Sequence, residues 1–237
     1  MSRCGVLHEA RETLLGDSQL LWGKSGASGT PHPLLFHMID SGMVAKALLV
    51  APQWRRIRDL LVRLGGLDAA ALNSTVPFLV ALHDIGKAAP GFQKRVPVLW
   101  GRVEAGGFVD RHPLWKGVRF RHDVEGYATL ADDVLPTLVK PLVIKATRLG
   151  ARRVFTGLAQ ALGGHHGAFV SAAEVDDYNY PQIKSESTEP DDRAWNDARA
   201  ELISGLAQTF EVDEPVGVAA DHLSALCSIL NGFTILC

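Results

Sequence analysis

The sequence predicts an all-α domain, a compact helical bundle with long irregular loops. Three observations carry that expectation. Apolar residues recur at three- and four-residue spacing over long stretches, the period of a buried helix face. Glycine pairs and proline-rich runs separate those stretches. No internal repeat, heptad run or convincing strand pair competes with the helical pattern. The 237 residues suffice to bury a sizeable core, and one domain over residues 1–237 is expected.

Composition narrows the class. Hydrophobic residues make up 47% and charged residues 21%, the balance of a soluble globular protein. A net charge of −2 provides no global basic field, so any nucleic-acid contact must use a local patch. The three cysteines, Cys4, Cys227 and Cys237, are dispersed and odd in number, which fits a reducing compartment rather than a disulfide framework. The start, MSRCGVLHEARE, has no apolar signal region, and no run approaches the ~18 apolar residues of a membrane span. A cytoplasmic protein without a membrane partner is expected.

Taken in order, a short helix around Glu9 to Leu15 leads into a loop-like stretch, LLWGKSGASGTPHP, in which Trp22 is expected to pack against the core. From Leu34 to Val50, residues Leu35, Met38, Ile39, Met43, Ala45 and Leu48 mark a helix, and His37 falls within it. Residues 53–64 form an amphipathic helix with an arginine-rich outer face. Residues 68–87 hold a helix or helix pair, interrupted near Pro77 and ending at His83-Asp84. Residues 88–121 are expected to be irregular. Their Trp, Arg and Lys side chains suit a nucleic-acid strand, with rings stacking on bases and cations meeting phosphates.

His122 opens the next helical stretch. Residues 101–153 carry ten Lys/Arg against six Asp/Glu, an excess small enough for an ordinary solvated surface. A helix from Arg153 to Leu162 stops at Gly163-Gly164, and His165-His166 follows at once. Residues 171–193 form an acidic loop, a poor phosphate contact. Asp191 to Phe210 is helical, with Ala194, Trp195, Ala198, Leu202 and Leu206 on one face. An apolar helix from Val218 closes the chain.

His37, His83-Asp84, His122 and His165-His166 all lie on helices or helix ends. A dispersed set of this kind suits a metal centre in a bundle, where facing helices each supply inward ligands. Imidazole and carboxylate favour Mn, Fe, Co or Ni, and the missing cysteine partners argue against a structural zinc site. Six such residues exceed the needs of one ion and point to two. Asp84 is the one carboxylate of the set, able to bridge ions ~3.5–4 Å apart as in two-metal phosphoester hydrolysis. A histidine doublet between glycines has no ready structural explanation, whereas His37 or His122 alone would pass as an ordinary polar contact. His8, His32, His112 and His222 are expected to play no part.

The order H…HD…H…HH resembles the HD superfamily of metal-dependent phosphohydrolases. In detail the chain resembles the HD nuclease domain of the CRISPR-associated helicase–nuclease of type I systems, the I-E branch most of all. The matching pieces are LLWGKS, HPLLFHMIDSGMVA, ALHDIGKAAPGFQ, FRHDVEG, GGHHG and ILNGFTILC. The resemblance implies an HD-domain bundle with two divalent transition-metal ions, Zn and Mg being the less favoured choices. His37, His83 and Asp84 would hold one ion; Asp84, His122, His165 and His166 would hold the other. Lys87 matches the family lysine and would contact the scissile phosphate. The implied activity is metal-dependent cleavage of single-stranded DNA in antiviral defence. The implied partners are a helicase module and the RNA-guided Cascade complex that recruits it.

The family's last apolar helix ends in an Asp-Trp pair, and that Asp completes the first ion's ligands. Here ILNGFTILC matches the lead-in and stops at Cys237, so the chain is expected to be a piece cut one residue short of a ligand. Asp221 is a lesser substitute, lying too early in the alignment. No GxxxxGK[ST] is present, so no ATP site is expected in this chain. Two other readings stay open: a nucleotide phosphohydrolase of the same superfamily, and a catalytically silent docking module in this shortened form.

Overall fold

The computed structural model describes residues 17–25, 30–65, 72–110, 120–142, 148–178, 190–212, 216–219 and 223–236. The helical period of residues 34–50 becomes α1 (Leu34–Val50), which buries Leu34, Leu35, Met38, Ala45 and Leu49. After a 3-10 turn, α2 (Arg55–Gly65) follows with the expected amphipathic pattern. α3 (Leu72–Ala81) is buried on nearly every side, from Leu72 through Thr75 to Ala81. A helix apolar all round belongs at the centre of a bundle, and α3 is the post against which α1 and α10 (Pro190–Phe210) pack. The α1 backbone comes so close at Gly42 that a Cβ there would meet the Phe210 ring and the Pro77 carbonyl. The face of α10 expected to be apolar does its part, with Trp195, Ala198, Leu202, Leu206 and Phe210 buried.

Several expectations need correction. Pro77 does not interrupt its helix: it lies within α3, where burial on all sides outweighs the missing N–H donor. Residues 88–110 are not irregular but hold α4 (Pro90–Gln93) and α5 (Pro97–Ala105), each opened by a proline, whose fixed φ suits a first helical position. The run from His122 is helical as expected, but in three parts: α6 (His122–Ala128) passes through a π-helical turn, Thr129–Val134, into α7 (Leu135–Leu138). α8 (Arg148–Gly163) starts ahead of the expected Arg153. The acidic segment is not all loop either, because Ser171 and Glu174 form a capping box that starts α9 (Ala172–Asp176). The final helix, α11 (Leu223–Leu236), begins later than Val218, which lies in a strand instead.

Strand pairs are also present. β1 (Trp22–Ser25) and β2 (Pro31–Pro33) are antiparallel, with Trp22 opposite Pro33 and Lys24 opposite His32. β3 (Val139–Leu142) and β4 (Val216–Ala219) are parallel. Strands of three or four residues are too short to show alternation, and β2 is Pro-His-Pro, so period gives no signal for them. They leave the class unchanged: the fold is all-α. The helix at Glu9 to Leu15, His8, His112, Asp221, His222, Cys4 and Cys237 lie outside the described residues. Among the described residues, no single helix is long and apolar enough to cross a membrane.

Candidate metal centre

α3 ends at Ala81 and tightens into a 3-10 helix, Leu82–Lys87, that carries His83 and Asp84. The tighter turn lets its backbone lie directly on α6. A Cβ on Gly86 would collide with the His122 carbonyl and the Gly126 amide, so only glycine allows this approach. That contact brings His122, the first residue of α6, beside Asp84. The doublet arrives from α8, whose end tightens into a second 3-10 turn, Gly164–His166, closed by Gly167 at φ +88°. α11 braces the same corner, since Asn231 Nδ2 donates to the Ala161 carbonyl at 2.9 Å. α1 supplies His37 from the opposite side.

The result is two groups of ligand atoms on opposite oxygens of one carboxylate. His37 Nε2 lies 2.8 Å and His83 Nε2 3.0 Å from Asp84 Oδ2. His122 Nε2 and His165 Nε2 lie 3.5 and 3.4 Å from Oδ1. His166 Nε2 is 3.0 Å from His122 Nε2, which is itself 3.3 Å from His165 Nε2. All six residues singled out by sequence are therefore together, as His37–His83–Asp84 and His122–His165–His166.

These atoms suit a cation better than one another. His83 Nδ1 donates to the Val80 carbonyl at 2.9 Å, and His165 Nδ1 to the Leu162 carbonyl at 3.2 Å. In a neutral ring that leaves each Nε2 with a lone pair aimed at a carboxylate oxygen. Carbonyl partners of this kind orient histidines as metal ligands. Asp84 Oδ1 is buried and accepts no hydrogen bond from the described residues. A buried, orphaned carboxylate oxygen faced by imidazole lone pairs is a donor set whose chemistry suits a cation.

The electrostatics agree. Burial alone would raise the Asp84 carboxyl, but His83, His37 and Lys87 outweigh it and hold the group well below the usual carboxylate range. Burial pushes the His122 imidazole down to about 3; Asp84 opposes this, while His165, Lys87 and His166 reinforce it. His165 falls to about 4, through burial and then His83, again against Asp84. Neutral imidazoles around an ionised carboxylate are the ligand forms a metal requires.

Lys87 lies in the same cluster. Its Nζ is 2.7 Å from Asp84 Oδ2, 3.2 Å from His37 Nε2 and 3.1 Å from the Gly23 carbonyl. Trp22 packs as expected, with its ring 4.6 Å from that of Phe92. In the segment after Lys87, two of the cations, Lys94 and Arg95, are engaged within the protein; Arg102 is exposed, and Arg111, Lys116 and Arg119 lie outside the described residues. Lys94 pairs with Asp110 at 2.6 Å, Arg95 donates to the Phe120 carbonyl at 2.8 Å, and Trp100 stacks parallel to Trp195. Arg121 is held by Asp123 and Glu174, both at 2.6 Å. His32 was not expected at the site, yet it lies edge-on to His37 and 2.8 Å from Asp40.

Two supports were invisible in the sequence. Gln93 is fully buried and clasps β1 to the Leu82–Lys87 turn: its Nε2 donates to the carbonyls of Trp22 and Lys87, both at 2.9 Å. Arg199 on α10 ties α6 to the turn that carries Asp84, donating to Glu125 Oε1 on α6 at 2.8 Å and to the carbonyl of Ala88, the residue that follows that turn, at 3.1 Å. The PGFQ segment signals Gln93 weakly. Nothing in an Arg among acidic and alanine neighbours signals Arg199.

A family model described as "Cas3, HD domain" matches residues 22–237. The chain is 34% identical over 184 residues to the CRISPR-associated endonuclease/helicase Cas3 of Thermus thermophilus, an alignment covering 77% of this chain and 17% of that protein. The chain thus spans a small part of that relative's length. Among solved structures, T. fusca Cas3 aligns with a TM-score of 0.63 at 22% identity, covering 92% of this chain and 22% of the other. At that identity the likeness concerns fold alone. The Thermus thermophilus cas3 HD domain, crystallised in the presence of Ni2+, aligns with a TM-score of 0.51 at 25% identity, covering 92% of this chain and 76% of the other.

Proposed function

The chain belongs to the Cas3 HD-domain family, a CRISPR-associated nuclease family, and from that membership we propose that it hydrolyses phosphodiester bonds of single-stranded DNA in type I CRISPR interference. The observation that carries the proposal is the convergence of two histidine groups on opposite oxygens of Asp84. His37, His83 and Asp84 would hold one divalent transition-metal ion, and Asp84, His122, His165 and His166 the second. Two such ions supply Lewis acidity and an activated water for in-line displacement at phosphorus.

The chain's own residues do the rest. Asp84 keeps its charge at any working pH and ties the two groups together through one side chain. The carbonyls of Val80 and Leu162 hold His83 and His165 in the tautomer that turns Nε2 inward. Lys87 Nζ lies beside the same carboxylate and is the group proposed to contact the scissile phosphate as charge develops on it. The relative's name, endonuclease/helicase, supports coupling to a helicase module. Recruitment by an RNA-guided Cascade complex, and so a cytoplasmic setting, rest on the type I resemblance.

The test is cleavage by the metal-stripped protein of single-stranded DNA, duplex DNA and nucleotides, with Mn²⁺, Ni²⁺, Co²⁺, Fe²⁺ and Zn²⁺ supplied in turn. Single-strand cleavage with at least one ion, lost in Asp84→Ala together with binding of both ions, is expected. Activity on nucleotides alone would show a nucleotide phosphohydrolase, and no activity with any ion a docking module; either result refutes the proposal.

A further inference from the structure

Beside the metal centre, α8 and α11 enclose a cleft of about 350 Å³ whose polar lining comes from Arg153, Thr156 and Gln160 on one side and Ser224 and Ser228 on the other. Its floor is apolar: Gly157 lets the helices approach, and a Cβ there would stand 3.1 Å from Leu223 and 3.3 Å from Cys227 Sγ. Phe169 completes the lining.

Phe169 is the telling residue. It is 49% exposed, one of few large apolar side chains in water among the described residues. It is also held in place. Gln160 Nε2 donates to the carbonyl of the next residue, Val170, at 3.1 Å, and Val170 is fully buried. The ring lies over the turn that carries the histidine doublet, with Cδ1 3.4 Å from the point a Gly164 Cβ would occupy. An exposed aromatic face, fixed against the metal-binding turn, is a stacking platform.

Arg153 supplies the second half. Lys94, Arg95, Arg121 and Arg199 all spend their charge on carboxylates or carbonyls of the protein. Arg153 is exposed, and its guanidinium makes no ion pair among the described residues. The hydroxyls of Thr156 and Ser228 donate to the Arg152 and Ser224 carbonyls, so their oxygens remain able to accept. Ring, guanidinium and acceptor oxygens in one cleft match a nucleotide better than the apolar face of a protein partner.

We propose that this cleft holds a nucleotide of the single strand that flanks the scissile phosphate, its base on Phe169 and its phosphate on Arg153. The proposal rests on the single-strand nuclease reading and adds the residues that hold the strand. It is tested by fluorescence anisotropy of a labelled oligothymidylate with the 237-residue chain in EDTA, which separates binding from cleavage. Loss of one base–aromatic stack in Phe169→Ala is expected to weaken binding about 5- to 150-fold. Phe169→Leu keeps the bulk without the π-face and should lose nearly as much. Arg153→Gln should lower the slope of log K against log salt by about 0.7, the value of one single-strand phosphate contact.

Ni²⁺ binding, followed by calorimetry, should be unchanged in all three variants; if Phe169→Ala loses it through misfolding, the other two variants decide. Wild-type binding that all three variants reproduce, with the same salt slope, overturns the cleft alone and leaves the nuclease reading standing. A wild type that neither binds nor cleaves single strands removes both. Variants that bind DNA normally but no longer associate with the helicase module would make the cleft a protein interface and overturn the proposal.

Discussion

Replacing Arg199 by Met isolates a buried ion pair that ties α6 to the end of the turn carrying Asp84. The Arg199 and Glu125 side chains are 5% and 2% exposed, and Nη2 and Oε1 are 2.8 Å apart. Methionine fills much of the volume, so the principal loss is electrostatic: the Glu125 carboxylate loses a cationic partner inside the protein. Breaking a buried pair from one side costs about 3–5 kcal/mol. The Ala88 carbonyl, which accepts from Nε at 3.1 Å, loses a donor as well; because the two losses share one side chain they are not summed. For a protein of this size each kcal/mol lowers Tm by about 2–4 °C, so a drop on the order of 6–20 °C is expected.

Urea denaturation of the metal-free protein measures the loss directly. Arg199→Met/Glu125→Gln should recover most of it, because the stranded charge is gone. The effect should also reach the centre, since Glu125 is one turn from His122 and Ala88 adjoins Lys87: Ni²⁺ affinity should fall in the single variant and return in the double. A cost below about 1 kcal/mol, the scale of a solvated surface pair, would refute the reasoning, as would a double variant no more stable than the single.

Three further outcomes follow from the geometry. Gly86→Ala should destabilise the protein by at least about 1–3 kcal/mol, the usual cost of overpacking, and should weaken Ni²⁺ binding by parting Asp84 from His122; calorimetry and thermal melting check both. In the metal-free protein, His122 and His165 sit at about 3 and 4 against 6.5 when unfolded. Between those values the unfolded chain binds more protons, so stability should fall as pH drops from about 6.5 towards 4, by up to about 1.4 kcal/mol per pH unit for each ring; urea midpoints that stay level over that window would contradict the assignment. Burial pushes the Cys227 thiol up to about 12, so in a Cys4→Ser/Cys237→Ser background the native protein should resist iodoacetamide at pH 8 and react only once unfolded, as mass spectrometry can follow.

Local pattern and chemistry account for what could be read ahead. Helices α1, α2 and α10 announce themselves through apolar spacing, and the pairing of His, His-Asp, His and His-His names the centre because few roles other than metal binding call for so many imidazoles. Short or locally ambiguous segments were harder. β1 and β2 carry no alternation, α4 and α5 lie in a stretch dominated by Gly, Pro and Trp, and Pro77 is a breaker only in a helix that water surrounds. The basic, aromatic loop after Lys87 has the composition of a nucleic-acid surface. Two of its cations, Lys94 and Arg95, nonetheless face Asp110 and the Phe120 carbonyl, which no count of charges could show.

The sequence by itself determined the helical class and the family, and it singled out the six side chains that the structure brings together, since period, motif and ligand chemistry are properties of the residues and their order. The tertiary structure decided which oxygen of Asp84 each histidine faces, because that depends on where four distant helix ends meet. It also assigned Gln93 and Arg199 to the frame, and Phe169 and Arg153 to the cleft beside it. A buried carboxylate acquires its field only from neighbours brought to it by folding, and those neighbours lie up to 81 residues away in the chain.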